Sequence, residues 1–247
     1  MVHLEPLPGA PGFGGSMAAV IERATTDAGV LSDAGFDGLM VENFGDAPFY
    51  ADDVPKVTIA AMTAAISEVV SIGLPTGVNV LRNDGLGAVA VAAATGASFI
   101  RVNVLSGMMY TDQGPIIGRA AEIARSRREL CPDTAILADV FVKHAAPPAG
   151  LSLVDATNDL VERAGANAVV VSGAGTGATT SLDDLSVVVG HSHLPVFVGS
   201  GATAATIAEI LSIGQGAIVG SDTKVGGIAT NPVDPERAAA VVRAAAR

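Results

Sequence analysis

The sequence is poor in residues that mark several classes of protein. Among its 247 residues it has no Trp, 2 Tyr and one cysteine, Cys131. A single cysteine excludes a small fold held together by disulfides. Only 16% of the residues are charged and 49% are hydrophobic, which is the reverse of a disordered composition. The core therefore has to be built from Ala, Val, Ile and Leu.

Long apolar runs and basic charge are also scarce. A membrane-spanning helix needs about 18 consecutive apolar residues, and the apolar stretch from Val57 to Ile72 is broken by Glu68. The N-terminus lacks the basic and apolar regions of a signal peptide. The formal net charge of -11 disfavours nucleic acid and anionic membranes as partners. We expect a cytoplasmic protein with no membrane span and no nucleic-acid partner.

Glycine, by contrast, is abundant and marks a repeating unit. At five places a helical stretch ends in Gly and a strand-like run follows at once, namely at Gly35, Gly73, Gly96, Gly165 and Gly214. Glycine ends helices well because it adopts the left-handed conformation without a Cβ clash. Ser16, Ser181 and Asp234 are typical residues for helix starts. Strands are predicted to begin near residues 2, 36, 74, 98, 134, 168, 194 and 217.

Eight strand–helix units predict an α/β fold, a single (β/α)8 TIM barrel that begins with strand 1 at the N-terminus and occupies residues 1–247 as one domain. No hairpin-length loop is evident between strands, which indicates parallel pairing through helical crossovers. The rival is an open doubly wound sheet. Such a sheet normally has a G-x-G-x-x-G loop after its first strand, and the glycine-rich segment Gly9–Gly15 lacks that spacing.

Polar residues collect at the carboxyl ends of the predicted strands, where barrel enzymes place their active sites. They are His3, Glu5, Glu42, Asn43, Asn79, Arg82, Arg101, Asn103, Asp139, Lys143, His144 and Ser172. Alternation along strand 4 separates Arg101 and Asn103 from Ile100 and Val102, so the two polar side chains should point into the barrel. A charge buried there has to be paired or used in function. Arg101 could therefore simply form a structural pair with Glu42 or Asp139.

The catalytic candidates are six of these residues. Glu42 and Asp139 are predicted to act as general acid and base across the barrel mouth. Arg101 and Asn103 would orient the substrate or stabilise an oxyanion. Lys143 could form a Schiff base, and His3 completes the set. Together with Glu5, the residues His3, Glu42 and Asp139 could instead bind a divalent metal ion, although no local spacing such as H-E-x-x-H supports it. Any cofactor is left open.

The last two strands predict a phosphate site. The loops after strands 7 and 8 of many such barrels bind phosphate through backbone N–H groups. Here they contain Gly199, Ser200, Gly201, Gly220 and Ser221, and Asn79 and Ser172 are further candidates for substrate contact. Asp222 would repel phosphate and could instead contact a ribose hydroxyl, Lys224 or a metal. The segment Ser172–Gly177 could close over the ligand. Alternatively, the small residues only allow the chain to turn.

Three segments resemble a known family. Met1–Gly9, Val41–Phe49 and Asp139–His144 look like sequence signatures of the BtpA/SgcQ family. The resemblance covers essentially the whole chain. It implies a barrel of the ribulose-phosphate-binding kind, and it implies the label of photosystem I biogenesis that cyanobacterial members carry. It also implies relatives in organisms without a photosystem, some of them encoded near sugar-metabolism genes.

Three functions follow as hypotheses. The first is an isomerase, epimerase or lyase that acts on a phosphorylated sugar or nucleotide-like molecule by acid–base chemistry. The second is a non-catalytic photosystem I assembly factor, and the third is a ligand-sensing barrel without turnover. The segment Met108–Tyr110 is predicted to be a lid or part of a subunit interface. Helical faces rich in Ala, Val and Ile are compatible with a homo-oligomer.

Overall fold

The structure, a computed structural model, describes residues 1–173 and 180–246. Eight parallel strands form one curled sheet in which the strand order follows the chain. The strands are β1 (Val2–His3), β2 (Leu39–Glu42), β3 (Thr76–Asn79), β4 (Phe99–Val102), β5 (Ala135–Asp139), β6 (Ala168–Val171), β7 (Val196–Val198) and β8 (Gly216–Ala217). Each begins within three residues of its predicted start. The largest difference is at β2, which begins three residues after its predicted start.

In the described part of the chain, seven α-helices connect consecutive strands of this sheet and an eighth follows β8. They are α1 (Met17–Ala34), α2 (Lys56–Val70), α3 (Gly85–Thr95), α4 (Ala120–Leu130), α5 (Leu153–Glu162), α6 (Leu182–His191), α7 (Ile207–Ile213) and α8 (Pro235–Ala245). The three predicted N-caps are confirmed. The side chains of Ser16, Ser181 and Asp234 each accept a hydrogen bond from a backbone N–H in the first turn of their helix.

The glycines at the helix ends follow the prediction with one exception. Gly35, Gly73, Gly96 and Gly165 all have a positive φ. Gly214 is extended, with φ -91° and ψ 171°, so the prediction of a left-handed glycine is wrong there. A Cβ at Gly214 would lie 3.2 Å from the carbonyl oxygen of Val196, and this close approach is what favours glycine at that position.

Alternation along the strands builds two layers inside the curled sheet. Near the amino ends of the strands, Met40, Phe99, Leu137 and Phe197 belong to one apolar cluster. Two residues further along the same strands come Glu42, Arg101, Asp139 and Gly199. Because side chains on a strand alternate with a period of two, these residues share the inner face with the apolar cluster. Ile100 and Val102 belong instead to the main core with the helices.

A small antiparallel sheet is the feature that the sequence-based prediction missed. Met108–Thr111 pairs with Gly114–Ile117 as a hairpin, and with Ala145–Ala146 on its other side. The expectation that no hairpin-length loop joins two strands is therefore wrong. The hairpin follows β4 and exposes Tyr110 and Ile117, by 52% and 62%. Pro115 within the second strand weakens the strand pattern, because proline cannot donate to a ladder.

None of the helices in the described part of the chain combines the length and the apolar character that crossing a membrane requires.

Candidate functional site

Strand register brings the predicted polar residues to one edge of the sheet. His3 pairs with Glu42, and Glu42 pairs with Asn79, as the final residues of β1, β2 and β3. A cavity of about 220 Å³ opens at this edge. Ten of the fourteen candidates for catalysis or substrate contact line it: His3, Glu42, Arg101, Lys143, Gly199, Ser200, Gly201, Gly220, Ser221 and Asp222. The other four of these candidates, Asn79, Asn103, Asp139 and Ser172, contact Arg101 or one another instead.

Arg101 and Asp139 form a buried two-point ion pair. The distances are 2.8 Å from Arg101 Nε to Asp139 Oδ1 and 2.8 Å from Nη2 to Oδ2. Ser172 Oγ lies 3.3 Å and Asn103 Nδ2 3.4 Å from Oδ2. Burial lowers the pKa of Arg101, but the charge and hydrogen bonds of Asp139 outweigh that effect and raise it. Both oxygens of Asp139 are therefore engaged, and the structural pairing considered for Arg101 is the one observed.

Two asparagines support the ion pair from the neighbouring strands. Asn79 Nδ2 donates to the backbone oxygen of Arg101, at 3.0 Å, and to Asn103 Oδ1, at 3.1 Å. Asn79 Oδ1 is buried without a hydrogen-bond partner. These contacts join β3 to β4 and hold the backbone and side chain of Arg101 in place.

Glu42 differs from Asp139 because its carboxylate accepts no hydrogen bond from the described residues. It is 4% exposed and lines the cavity, yet no described residue hydrogen-bonds its carboxylate. Burial lowers the pKa values of three cationic side chains, and the negative charge of Glu42 counteracts that effect. These side chains are Lys143, Arg82 and Arg101. Glu42 is thus a buried carboxylate whose oxygens are available to a ligand.

His3 is a neutral imidazole with one nitrogen available. Its Nδ1 lies 2.8 Å from the carbonyl oxygen of Ala229, so Nδ1 carries the hydrogen. Burial lowers its pKa to about 4, which outweighs the opposing charge of Glu42. The ring stacks on Phe44 with centroids 4.5 Å apart. Nε2 is therefore left as a hydrogen-bond acceptor, and His3 lines the cavity.

Two glycine–serine loops, Gly199–Ala202 and Gly220–Ser221, line the same cavity. A Cβ at Gly199 would lie 2.5 Å from Val170 Cγ1 and 3.0 Å from Arg101 Nη2, so only glycine fits there. Gly201 has a φ of 72°. The backbone N–H groups of these loops that find no acceptor among the described residues are those of Ser200, Gly201, Ala202, Gly220 and Ser221. The loops that line the cavity thus contain several donors without an acceptor among the described residues.

Ser200 joins the first glycine–serine loop to the chain beyond β6. Its Oγ accepts from the N–H of Gly173, at 2.8 Å, and its carbonyl oxygen accepts from Thr180 Oγ1, at 2.9 Å. These contacts tie Gly173 and Thr180 to the first glycine–serine loop. Of the predicted closing loop Ser172–Gly177, only Ser172 and Gly173 lie within the described residues.

Asp222 has partners other than the predicted ones. Its Oδ2 accepts from the N–H of Ala204, at 2.8 Å, and its Oδ1 lies 2.7 Å from Arg237 Nη2. The predicted contact with Lys224 is wrong, because Lys224 Nζ bonds Asp27 Oδ2, at 2.9 Å. Arg237 offsets the negative charge of Asp222 at the edge of the cavity. The sequence offered no signal for this pair, since the two residues belong to different elements.

The chain is matched over residues 1–247 by the model of the BtpA family. It belongs to the BtpA family. It is 45% identical to "Photosystem I biogenesis protein BtpA" of Synechocystis, in an alignment that covers 100% of this chain and 86% of that relative. The family resemblance of the three sequence segments is thereby confirmed.

Two solved structures illustrate the fold of this BtpA-family chain. A thiamine phosphate pyrophosphorylase from Pyrococcus furiosus superposes with a TM-score of 0.59 at 14% identity, covering 91% of this chain and 88% of that one. A 3-hexulose-6-phosphate synthase superposes with a TM-score of 0.59 at 18% identity, covering 92% and 95%. At such low identity these likenesses show a TIM-barrel-like fold and nothing of the chemistry.

The residues considered for a metal are not gathered into one cluster. Asp139 is engaged by Arg101, and Glu5 lies 3.8 Å from Arg23. Within residues 1–173 and 180–246, no group of three or more His, Cys, Asp or Glu side chains is placed to hold a metal ion.

Asn83 is a structural residue near the site that sequence reasoning missed. Its Oδ1 accepts from the N–H of Val104, at 2.7 Å, and its Nδ2 donates to the oxygen of Val104, at 3.0 Å. Asn43 acts similarly on Leu81, whose N–H lies 2.7 Å from Asn43 Oδ1. These amides imitate a strand partner beyond the ends of the strands and hold the loops around the cavity. The only signal was their position just after β2 and β3.

Proposed function

We propose that the protein is an enzyme that acts by acid–base chemistry on a phosphorylated sugar or nucleotide-like small molecule, as an isomerase, epimerase or lyase. One observation carries the proposal: the two glycine–serine loops, which contain five N–H groups without an acceptor among the described residues, line the same cavity as Glu42, whose carboxylate no described residue hydrogen-bonds. Clustered backbone N–H groups bind phosphate. A buried carboxylate near a bound substrate is suited to proton transfer.

The residues have distinct roles in this proposal. The loops Gly199–Ala202 and Gly220–Ser221 hold the phosphate, and Glu42 moves a proton on the carbon skeleton. Arg101 lines the cavity and stabilises developing negative charge on a substrate oxygen. Asp139, with Asn79, Asn103 and Ser172, positions Arg101 rather than exchanging protons itself. His3 accepts a hydrogen bond from a substrate hydroxyl through Nε2.

The names of the two solved structures agree with this substrate class. Thiamine phosphate pyrophosphorylase and 3-hexulose-6-phosphate synthase are both named after phosphorylated small molecules. The shared fold supports the proposal only as an analogy, because one fold hosts many chemistries.

Titration calorimetry with inorganic phosphate, ribose 5-phosphate and ribose tests the phosphate site. We expect both phosphate compounds to bind and ribose to bind at least about 10-fold more weakly, since a single charge-assisted contact contributes about 1.5–3 kcal/mol. Ser221→Asp places a carboxylate in the second loop and should reduce phosphate affinity about 10-fold or more. Ser186→Asp, on the exposed face of α6, adds the same charge elsewhere and should change nothing. Equal affinity for ribose and its phosphate would refute the proposal.

We further propose that the curled sheet closes into a complete single-domain (β/α)8 barrel. The nitrogen of Met1 donates to the carbonyl oxygen of Val219, at 2.9 Å, which links the first strand to the chain just after β8. Nuclear Overhauser contacts between residues 1–3 and 217–220, together with one cooperative unfolding transition, would support closure. Separate transitions for two parts of the chain would contradict a single domain.

An assembly role is the second candidate, because the Synechocystis relative is named for photosystem I biogenesis. The exposed Tyr110 and Ile117 of the hairpin would offer a contact surface for a partner or for a second copy in a homo-oligomer. This reading expects Glu42→Gln to retain function and a Tyr110→Ser/Ile117→Ser double variant to lose it. The enzyme proposal expects the opposite. A ligand sensor would bind the same phosphate compounds without converting them.

A further inference from the structure

The chain has three lysines, and they lie in three different environments. Lys56 is exposed at the start of α2. Lys224 has no exposed surface and is paired with Asp27. Lys143 lines the cavity, and no carboxylate oxygen of the described residues lies within 4.0 Å of its Nζ. Lys143 is therefore the half-buried amine for which the described residues provide no ion-pair partner.

The surroundings of Lys143 favour its neutral form while holding its backbone in place. Burial lowers the pKa of the amine, and the charges of Arg101 and Arg82 lower it further. Glu42 and Asp139 oppose this without reversing it. The backbone oxygen of Lys143 accepts a hydrogen bond from Arg82 Nη2. A lysine with such a pKa is a better nucleophile, because only the neutral amine attacks.

We propose that Lys143 forms an imine with the carbonyl carbon of a phosphorylated aldehyde or ketone whose phosphate lies in the two glycine–serine loops. The inference rests on the proposed function for its phosphate site, and it narrows the substrate class to phosphorylated carbonyl compounds. The same cavity is lined by Lys143, Glu42 and both loops, so one small molecule can reach all three.

The step balances without any further reactant. The neutral Nζ attacks the carbonyl carbon, a C–N bond forms, and one proton moves from the nitrogen to the former carbonyl oxygen. A second proton, taken from solvent, converts this hydroxyl to water; the C–O bond then breaks, water leaves, and a protonated imine remains on Lys143. Its positive nitrogen withdraws electrons from the neighbouring carbon. A proton or a carbon–carbon bond at that carbon can then be released, and Glu42 is placed to accept the proton.

Reductive trapping tests the inference. The protein is incubated at pH 7 with cyanoborohydride and either glyceraldehyde 3-phosphate or glyceraldehyde, and the modified lysine is identified by peptide mass spectrometry. We expect one stable adduct, on Lys143, formed at least about 10-fold faster with the phosphorylated probe. Lys56 and Lys224 serve as internal controls within the same digest. Labelling of Lys56 at the rate of Lys143, or no adduct on Lys143, would overturn the inference.

Two variants separate this inference from the proposed function. Lys143→Arg keeps the charge but cannot form an imine, so it should lose the adduct and still bind inorganic phosphate. Lys56→Met should keep the adduct. If calorimetry shows phosphate binding but no adduct forms on Lys143, imine formation at Lys143 is refuted and the proposed phosphate site is retained. If Lys143 is trapped at equal rates with both probes, imine formation is supported and the proposed phosphate site is refuted.

Discussion

Lys224 is fully buried and Lys143 is half-buried at the cavity, and the surroundings of the two lysines differ. Lys224 bonds Asp27 Oδ2, at 2.9 Å, while Asp27 Oδ1 accepts from the N–H of Val233, at 2.7 Å. That arrangement ties α1 to the segment between β8 and α8. Lys143 lines the cavity, and no carboxylate of the described residues lies within ion-pair distance of its amine. Glu42 lines the same cavity, and its carboxylate receives no hydrogen bond from the described residues.

The difference shows how structural and functional charges can be told apart. A buried charge costs stability unless it is paired. Away from the cavity, Lys224 and Asp27 offset this cost for each other. At the cavity, the side chains of Glu42 and Lys143 have no hydrogen-bond or ion-pair partner among the described residues. Unsatisfied groups gathered on one cavity are the pattern that a ligand completes.

The largest expected effect is on stability at the structural pair. Asp27→Asn leaves Lys224 charged and unpaired, and should lower the free energy of unfolding by about 3–5 kcal/mol. Lys143→Met is the matched change at the cavity and should alter it by less than about 1 kcal/mol. Urea denaturation of both variants measures the contrast. If both variants lose similar amounts of unfolding free energy, Lys224 and Lys143 do not differ in their structural role.

The next effect is on proton transfer at the cavity. Glu42→Gln removes the base but keeps the shape, so solvent deuterium incorporation into dihydroxyacetone phosphate, followed by NMR, should slow by about 100-fold or more. Glu68→Gln makes the same change on the exposed face of α2 and should have no effect. Phosphate affinity should be retained in both. Undiminished exchange in Glu42→Gln would assign the proton transfer to another group.

A third effect concerns stability in acid. The pKa of His3 is about 4 in the fold against an ordinary value of 6.5, so the unfolded chain binds more protons between these values. The contribution of neutral His3 to the free energy of unfolding is complete above pH 6.5. It is lost as the pH falls toward 4, and the loss amounts to at most about 3 kcal/mol. His3→Gln should therefore lose less stability than the wild type between pH 7 and pH 4 in denaturation experiments. Equal losses would show that His3 is not held neutral.

The smallest effect is expected at Ser200. Ser200→Ala removes the acceptor of the Gly173 N–H, and should reduce the free energy of unfolding by about 1 kcal/mol. Ser186→Ala, whose hydroxyl bonds the carbonyl of Leu182 within its own helix, should change it by less than about 0.5 kcal/mol. Thermal unfolding distinguishes them. No difference between the two would mean that Ser200 does not hold the chain beyond β6.

The features of the fold that could be predicted from the sequence depend mostly on short-range rules for helix ends and strands. Helix starts at Ser16 and Asp234 and helix ends at Gly35 and Gly96 depend on a few neighbouring residues, so the sequence alone located them. The hairpin at Met108–Ile117 was missed because its strands are short and contain Pro115. In the candidate site, too, the feature that could be predicted is a local one. Alternation along β4 placed Arg101 on the inner face, because the direction of a side chain on a strand depends only on the two-residue period of the strand.

By itself, then, the sequence determined the repeating strand–helix unit, the family and the edge of the sheet where polar residues gather. Only the tertiary structure decided which of those residues pair. Arg101 bonds Asp139, 38 positions away, whereas no described residue hydrogen-bonds the carboxylate of Glu42; Lys224 bonds Asp27, 197 positions away. Pairing depends on distances of a few ångströms between side chains on different elements. No local pattern encodes such distances, because they arise only when the sheet curls and the helices pack against it.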